Sequence, residues 1–473
     1  MKLRNTIIVL VLLAIVGGYA FIIGNYSKPE GPKLALGVKA ANMESIDLRS
    51  ADRDLTIQRE KGGDWLIVKP KRAAADKSEC QNLANAIANC NVESTIDRHP
   101  KDLARFGLKN PQTTVTVTTF DKKPHPGIEV GKTTPIGFHA YIKLTDKPAV
   151  MLTSSAFPTG MNKTFNDLRS RVLMTFKPGD VNQLLLANDS GRTIEFDRHG
   201  DKFQMVKPAA YPADSERVNG IISTLSNTRV ANFISDTPAN VTQYGLEKPR
   251  FTAAVVLDNG ERQSLLFGFQ QTGGSGVYVR RGESVPVYTV GEWELNSLNV
   301  PPLEFHSKEV LNGFKQPEVE SVAVTNGGGK FTLQRTGAGK WNVIESGKTE
   351  SGDASAIDRF VARIHGMRAM SAVADPVTDP AAYGLDQPTL QIALAGKGGK
   401  AIGEVMFSPH SPKSSEPSTP GGERTDYYAE SSSGKAVFEI SSYAFRQIDR
   451  PASAYVIQVA PATPAAKPAP GKK

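Results

Sequence analysis

The chain repeats itself. Asp64-Trp65-Leu66-Ile67-Val68 returns as Lys202-Phe203-Gln204-Met205-Val206 and again as Lys340-Trp341-Asn342-Val343-Ile344, so the aromatic advances by 138 residues twice. A second landmark keeps step. Phe106-Gly107-Leu108-Lys109-Asn110-Pro111 returns as Tyr244-Gly245-Leu246-Glu247-Lys248-Pro249 after 138 residues, and as Tyr383-Gly384-Leu385-Asp386-Gln387-Pro388 after 139 more. A period this long marks a domain used three times rather than a short solenoid unit. The 473 residues exceed what one core usually serves, and three units of this length fit the excess.

Within each unit the hydrophobic period changes once. Three short alternating segments come first; in the first unit they are Ser45-Ile46-Asp47-Leu48-Arg49, Leu55-Thr56-Ile57-Gln58-Arg59 and the Trp65 segment. Such segments with tight turns between them predict an antiparallel meander. Helical spacing follows: Cys80, Leu83, Ala84, Ile87 and Ala88 after Ser78; Val218, Ile221, Ile222 and Leu225 after Asp214 and Ser215; Ile357, Phe360, Val361 and Ile364 after Asp353 and Ser355. Asp and Ser ahead of an apolar stripe are N-cap residues by chemistry. The aromatic-Gly-Leu-x-x-Pro turn then leads into a second strand group, and a shorter closing helix is expected over residues 165–173 in the first unit. The expected fold is α+β: three tandem, homologous, strand-rich domains, each an antiparallel sheet with one main helix.

The N-terminus sets the expected location. Residues 6–23, TIIVLVLLAIVGGYAFII, carry no charge, and as a helix they span about 27 Å, enough for a bilayer core. Lys2 and Arg4 precede them, so the rest of the chain is expected outside the cytoplasm. A cleaved signal peptide is the rival, with Gly18-Tyr19-Ala20 as a small-x-small site, but the apolar run continues through Ile23. The expected layout is an anchor at 1–24 and a polar linker at 25–42. Repeats follow at 43–175, 176–315 and 316–458, then a disordered Pro/Ala/Lys tail at 459–473. A polar insertion at 411–426 sets the third repeat apart. The expected location is the inner membrane, single-pass, with the bulk periplasmic.

Chemistry is harder to find. The net charge of +8, from 56 basic and 48 acidic residues, is scattered without a basic block or a nucleic-acid motif, so no nucleic-acid partner is expected. Cys80 and Cys90 fall in one predicted helix, about 15 Å apart if it is unbroken and beyond disulfide reach; a helix ending before Cys90 would leave a bridge open. His99, His125, His139, His199, His306, His365 and His410 are dispersed, none at metal-ligand spacing. Gly131-Lys132-Thr133 lacks the earlier glycine of a phosphate loop, Pro126 standing there instead. There is no G-x-S-x-G elbow. No metal, cofactor or catalytic residue is expected.

The repeated residues Trp65, Phe203 and Trp341, with Phe106, Gly107, Leu108 and Pro111, Tyr244, Gly245, Leu246 and Pro249, and Tyr383, Gly384, Leu385 and Pro388, are expected to be structural. Glycine permits positive φ, proline fixes the entry to the strand, and aromatic and leucine anchor the turn. An enzymatic function should lie in what one repeat has alone, for which Lys132, His139 and the insertion near Arg424 are the candidates.

An anchor followed by repeats of W-x-[IV], a helix and [YF]-G-L-x-x-P resembles the bacterial family catalogued as domain of unknown function 4340. The resemblance covers most of the chain after the anchor. It implies association with ABC transporter components of the gliding-motility type, and names no catalytic residue. The expected function is a membrane-anchored scaffold or accessory binding subunit of an ABC-transporter-type envelope complex, with permease and ATPase as partners and lipid met through the anchor. Oligomeric state stays open. Exposed sheet edges would offer partners a route by strand addition. The alternative is envelope glycan or lipid binding. An enzyme acting on envelope polymers is a third reading; it would need one repeat alone to hold a pocket of converging polar, titrating groups.

Overall fold

The computed structural model describes residues 14–18, 33–60, 62–137, 139–311, 313–410, 426–432 and 436–458. Most of the expected anchor, the linker to residue 32, most of the third-repeat insertion and the C-terminal tail lie outside these residues. Residues 14–18 are helical. Among the described residues no helix is long and apolar enough to cross a membrane.

The chain divides at Arg171 into two compact units. The first unit holds one nine-stranded sheet, the second holds two more, and all strand pairs are antiparallel. The first repeat contains β1 (Lys33–Leu34), β2 (Met43–Arg49), β3 (Asp54–Arg59), β4 (Trp65–Lys69), β5 (Ala73–Ala74), β6 (Asn91–Val92), β7 (Ser94–Asp97), β8 (Thr113–Thr119), β9 (Ile128–Thr133), β10 (His139–Leu144) and β11 (Val150–Ser154). Its sheet runs β5-β4-β3-β2-β8-β9-β10-β11-β7. From β2 in the middle the chain walks out to one edge at β5. Helix α1 (Lys77–Ala88) carries it across to the opposite edge at β7. It returns to the middle at β8 and walks outward again to meet β7. The sheets of the second and third repeats have the same order.

Alternation explains why these segments are strands. In β2, Met43, Ile46 and Leu48 are buried, with a register shift between Met43 and Ser45 that accommodates the first spacing. In β8, Val115 and Val117 point the same way. This face receives Cys80, Leu83, Ala84 and Ile87 of α1, making one core. The second and third main helices start on the expected aspartates, whereas the first is capped by Asp76 rather than opened by Ser78. Asp76 Oδ1 accepts the N–H groups of Ser78 and Glu79 at 2.9 and 3.0 Å. Asp214 caps α4 (Ser215–Asn227) and Asp353 caps α6 (Ala354–His365) in the same way. Each aspartate also donates its own backbone N–H to the segment that closes its repeat, Asp76 to Leu168, Asp214 to Phe305 and Asp353 to Tyr455, at 2.8, 2.7 and 2.8 Å. The short helices before these closing residues are α2 (Ala156–Met161) and α3 (Phe165–Leu168), α5 (Glu292–Leu298), and α7 (Ser442–Ile448).

Several sequence expectations need correction. The linker ends earlier than residue 42: β1 pairs with β6 and Val38 is in the first core. The closing helix over 165–173 stops at Leu168, where the chain extends and Arg169 pairs with Ala75, just ahead of the cap of α1. Leu173 and Met174, placed in the first repeat from sequence, pack in the second core. Val310, Leu311 and Phe314 likewise pack in the third core. Cys90 lies beyond α1, which ends at Ala88 with Asn89 as its C-cap. Both cysteines are nonetheless free and buried.

The second and third repeats meet around His306. Its ring stacks on Tyr211 at 4.6 Å between centroids and meets Phe438 of the third repeat edge-on at 5.3 Å. Nδ1 lies 2.8 Å from the Ser307 carbonyl oxygen, and Nε2 lies 3.2 Å from Asp375 Oδ2. Both nitrogens therefore face acceptors. Burial, and then the Asp375 carboxylate, push the Tyr211 hydroxyl well above the usual tyrosine range; that hydroxyl donates to the Pro302 carbonyl at 3.0 Å.

Candidate functional site

The repeated residues form repeated contacts. Trp65, Phe203 and Trp341 are buried. Over each ring lies an arginine of the preceding strand: Arg59, Arg198 and Arg335, at 4.4, 4.4 and 4.3 Å from the centroids. The glycines of the second landmark cap short 3-10 turns with φ of 70°, 69° and 67°, the left-handed region that a side chain resists. The aromatics Phe106, Tyr244 and Tyr383 meet Tyr141, Tyr278 and Tyr428 edge-to-face at 5.0, 4.9 and 5.1 Å. Leu108, Leu246 and Leu385 are buried beneath the turns, and Pro111, Pro249 and Pro388 precede the next strands.

One further position belongs to this motif. A Cβ at Gly131 would lie 2.3 Å from the Phe106 carbonyl oxygen, and one at Gly268 would lie 2.0 Å from that of Tyr244. In the third repeat Ser408 occupies the place, and its hydroxyl donates to the Tyr383 carbonyl. Gly131 is thus needed by the turn, which accounts for its presence beside Lys132 without a phosphate. Tyr141 and Tyr278 stand 137 residues apart but Tyr428 follows 150 residues later, beyond the insertion at 411–426, so the period alone did not reveal this part of the motif.

Of the residues singled out as particular to one repeat, Lys132 packs its side chain over Gly107. His139 Nδ1 lies 2.5 Å from Glu93 Oε2 on the surface. Arg424 lies outside the described residues. Nothing brings Lys132 and His139 to a shared pocket. Among the described residues no group of three His, Cys, Asp or Glu is placed to hold a metal ion. Burial pushes the Cys80 thiol up to about 12 and the Cys90 thiol up to about 11, the latter partly offset by Thr153, so neither is a nucleophile at neutral pH.

The third repeat has a groove of about 520 Å³ between α6 and α7. Arg359 and Arg363, one turn apart on α6, line it with Arg368 just beyond the helix. Met367 and Ile448 are buried beneath it with Ala444 alongside, and Tyr443, 70% exposed, projects from α7. Arg363 Nη1 donates to the Gln447 carbonyl at 3.1 Å, tying the two helices together. Arg368 reaches Asp214 only at 4.0 Å. Arg359 has no hydrogen-bond or ion-pair partner among the described residues. Counting from the capping aspartates, Asn82 and Gly220 stand where Arg359 stands, and Ala86 and Thr224 where Arg363 stands. The sequence reading missed this pair. Its signal was a basic i, i+4 pair on the polar face of one helix with non-basic counterparts in the other two.

The lining contains no carboxylate, histidine, cysteine or lysine, and the Tyr443 hydroxyl stands in it beside the arginines. It offers planar guanidinium donors above an apolar floor, which is recognition chemistry.

No curated protein matches the chain. A family model does, over residues 65–203 and 204–388. The matched segments begin at the first repeated aromatic, change over at the second and end on the proline of the third turn. The match covers more than half of the chain, which therefore belongs to the family described as domain of unknown function (DUF4340).

Proposed function

We propose that this protein is a membrane-anchored extracytoplasmic scaffold or accessory binding subunit of an ABC-transporter-type envelope complex, and that it works without catalysis. The observation that carries the binding role is the groove of the third repeat, where arginines and an exposed tyrosine rim an apolar floor. Buried apolar anchors ringed by polar contacts are how interfaces gain most of their energy, and arginine and tyrosine are enriched there. The anchor and the envelope location rest on the uncharged run at 6–23 behind Lys2 and Arg4. The transporter partner rests on what the family resemblance implies.

The test is affinity purification of the full chain from mild-detergent membranes through a C-terminal tag, with quantitative mass spectrometry. Stoichiometric recovery of a transporter permease and ATPase is the expected result. Recovery of the protein alone from gently solubilised membranes refutes a stable subunit role, and glycan and lipid binding become the next measurements.

A further inference from the structure

We infer that the groove between α6 and α7 takes a short acidic segment of a partner protein, its carboxylates on Arg359, Arg363 and Arg368 and an apolar side chain on the floor. This rests on the binding-subunit reading and names the chemistry of its partner.

Charge comes first. Three guanidinium groups share one concavity with no acid in its lining, and the nearest carboxylate pairing, Arg368 with Asp214, is at the 4.0 Å limit. Like charges gathered on one face repel each other, and a carboxylate supplied from outside relieves this while accepting paired N–H donors. Shape comes second. The apolar part of the lining is Ala362, Met367, Ala444 and Ile448, so a ligand covers it only by laying an apolar side chain against it. Size comes third. At about 520 Å³ the groove falls in the range of pockets that enclose a few side chains, roughly 300–1,000 Å³, not a folded domain.

The chain's own remaining segments do not complement it. Residues 411–425 hold Lys413 and Arg424 against Glu416 and Glu423. Residues 459–473 hold Lys467, Lys472 and Lys473 and no acid. Residues 1–13 hold no acid, and residues 19–32 hold only Glu30, beside Lys28, so an acidic occupant comes from another protein. An anionic lipid headgroup shares the charge but carries no apolar side chain to lay against Met367 and Ala444.

The test uses the purified full chain in detergent micelles. The probes are a fluorescein-labelled peptide alternating Glu with Leu and Phe, the same peptide with Lys for Glu, and vesicles of phosphatidylglycerol. The expected result is binding of the acidic peptide, weakened about tenfold or more by R359Q/R363Q, the scale for losing charge-assisted pairs. The control K330Q/K397Q removes the same charge from exposed lysines elsewhere on the third repeat and is expected to leave binding unchanged. Equal weakening by both double variants, no peptide binding, or binding to vesicles alone overturns the inference. In cells, a photo-crosslinking residue in place of Tyr443 is expected to label an Asp/Glu-rich segment, and R359Q/R363Q to abolish the label; labelling of lipid or of a neutral or basic segment overturns it. If the transporter subunits still co-purify with the R359Q/R363Q chain in full yield and no crosslink is lost, the inference fails while the subunit reading stands. If nothing co-purifies with the unaltered chain, the reading itself fails.

Discussion

The same substitution, glycine to alanine, should move the stability of the second repeat in opposite directions at two positions. Gly268 sits in the strand Arg262–Gln270, under the turn that carries Tyr244. An added methyl carbon there would lie 2.0 Å from the Tyr244 carbonyl oxygen and 3.1 Å from the Gly245 carbonyl carbon. Both are backbone atoms, so no side chain can swing aside; the turn must lift off the strand. Forced overpacking of this kind costs about 1–3 kcal/mol. Against it stands a gain of about 0.4–1 kcal/mol from a less flexible unfolded chain. The steric cost wins, and Gly268→Ala should destabilise the repeat by about 1–2 kcal/mol. Gly220 lies inside α4, where an added methyl meets nothing within 4 Å. Alanine is favoured over glycine in a helix interior by about 1 kcal/mol, so Gly220→Ala should stabilise by about that amount. The two variants should therefore differ by roughly 2–3 kcal/mol. Hydrogen-exchange mass spectrometry along a urea series, read through peptides of α4 and of the strand Phe251–Leu257, scores this repeat separately from the others. Unchanged or increased protection in Gly268→Ala, or shifts of the same sign in both variants, would refute the steric argument.

Two further outcomes are expected. Trp341 Nε1 donates to Asp358 Oδ1 at 3.3 Å, whereas the buried Trp65 Nε1 has no hydrogen-bond partner; Trp341→Phe should cost about 1 kcal/mol more than Trp65→Phe in urea denaturation, and equal costs would contradict the pairing. Cys80 and Cys90, held protonated by burial with values of about 12 and about 11, should resist iodoacetamide in the native chain at pH 8 and both react after denaturation. The unfolded thiols ionise near pH ~8.5 and the folded ones do not, so this stabilising contribution is complete below that pH and lost as pH rises toward 11 and 12; native labelling at the rate of a free thiol would show the burial to be wrong.

What could be read in sequence was what recurs. Ile46, Leu48, Leu55 and Ile57 alternate, Leu83 and Ile87 keep helical spacing, and the other repeats echo them, so sheet and helix were legible from three registers at once. The edge strands were not. Ala73–Ala74 and Tyr211–Pro212 are two residues long, too short for an alternation to show, and what makes them strands is their pairing with a neighbour. The contact at His306 was hidden for another reason. Arg169 and Val456 hold the equivalent closing position in the other repeats, so no repetition flagged the histidine, and Asp375 and Phe438 reach it only through tertiary packing. The groove arginines were within reach of the rule of looking at what one repeat has alone. That rule was applied to Lys132, His139 and Arg424; Arg359 and Arg363 were not singled out because one side of the groove, Tyr443, Ala444 and Ile448 of α7, is distant in sequence.

Three near-copies of one sheet made in succession on a single chain carry a hazard of their own, since a strand of one copy can pair with the growing edge of another. The sheets described above end on strands of only two residues in the first two repeats and five in the third, at Ala73–Ala74, Tyr211–Pro212 and Lys348–Gly352, and of four residues at the other end. Pro212 removes a donor from one of them. Each first edge is also followed at once by a residue that pairs with the segment closing its own repeat, or contains it: Ala75 with Arg169, Ala213 with His306, Gly352 with Val456. A stray strand from a sister copy therefore finds little unpaired backbone to template on, and lengthening one of these edges is where strand exchange between copies, and the tangled chains that follow from it, should begin.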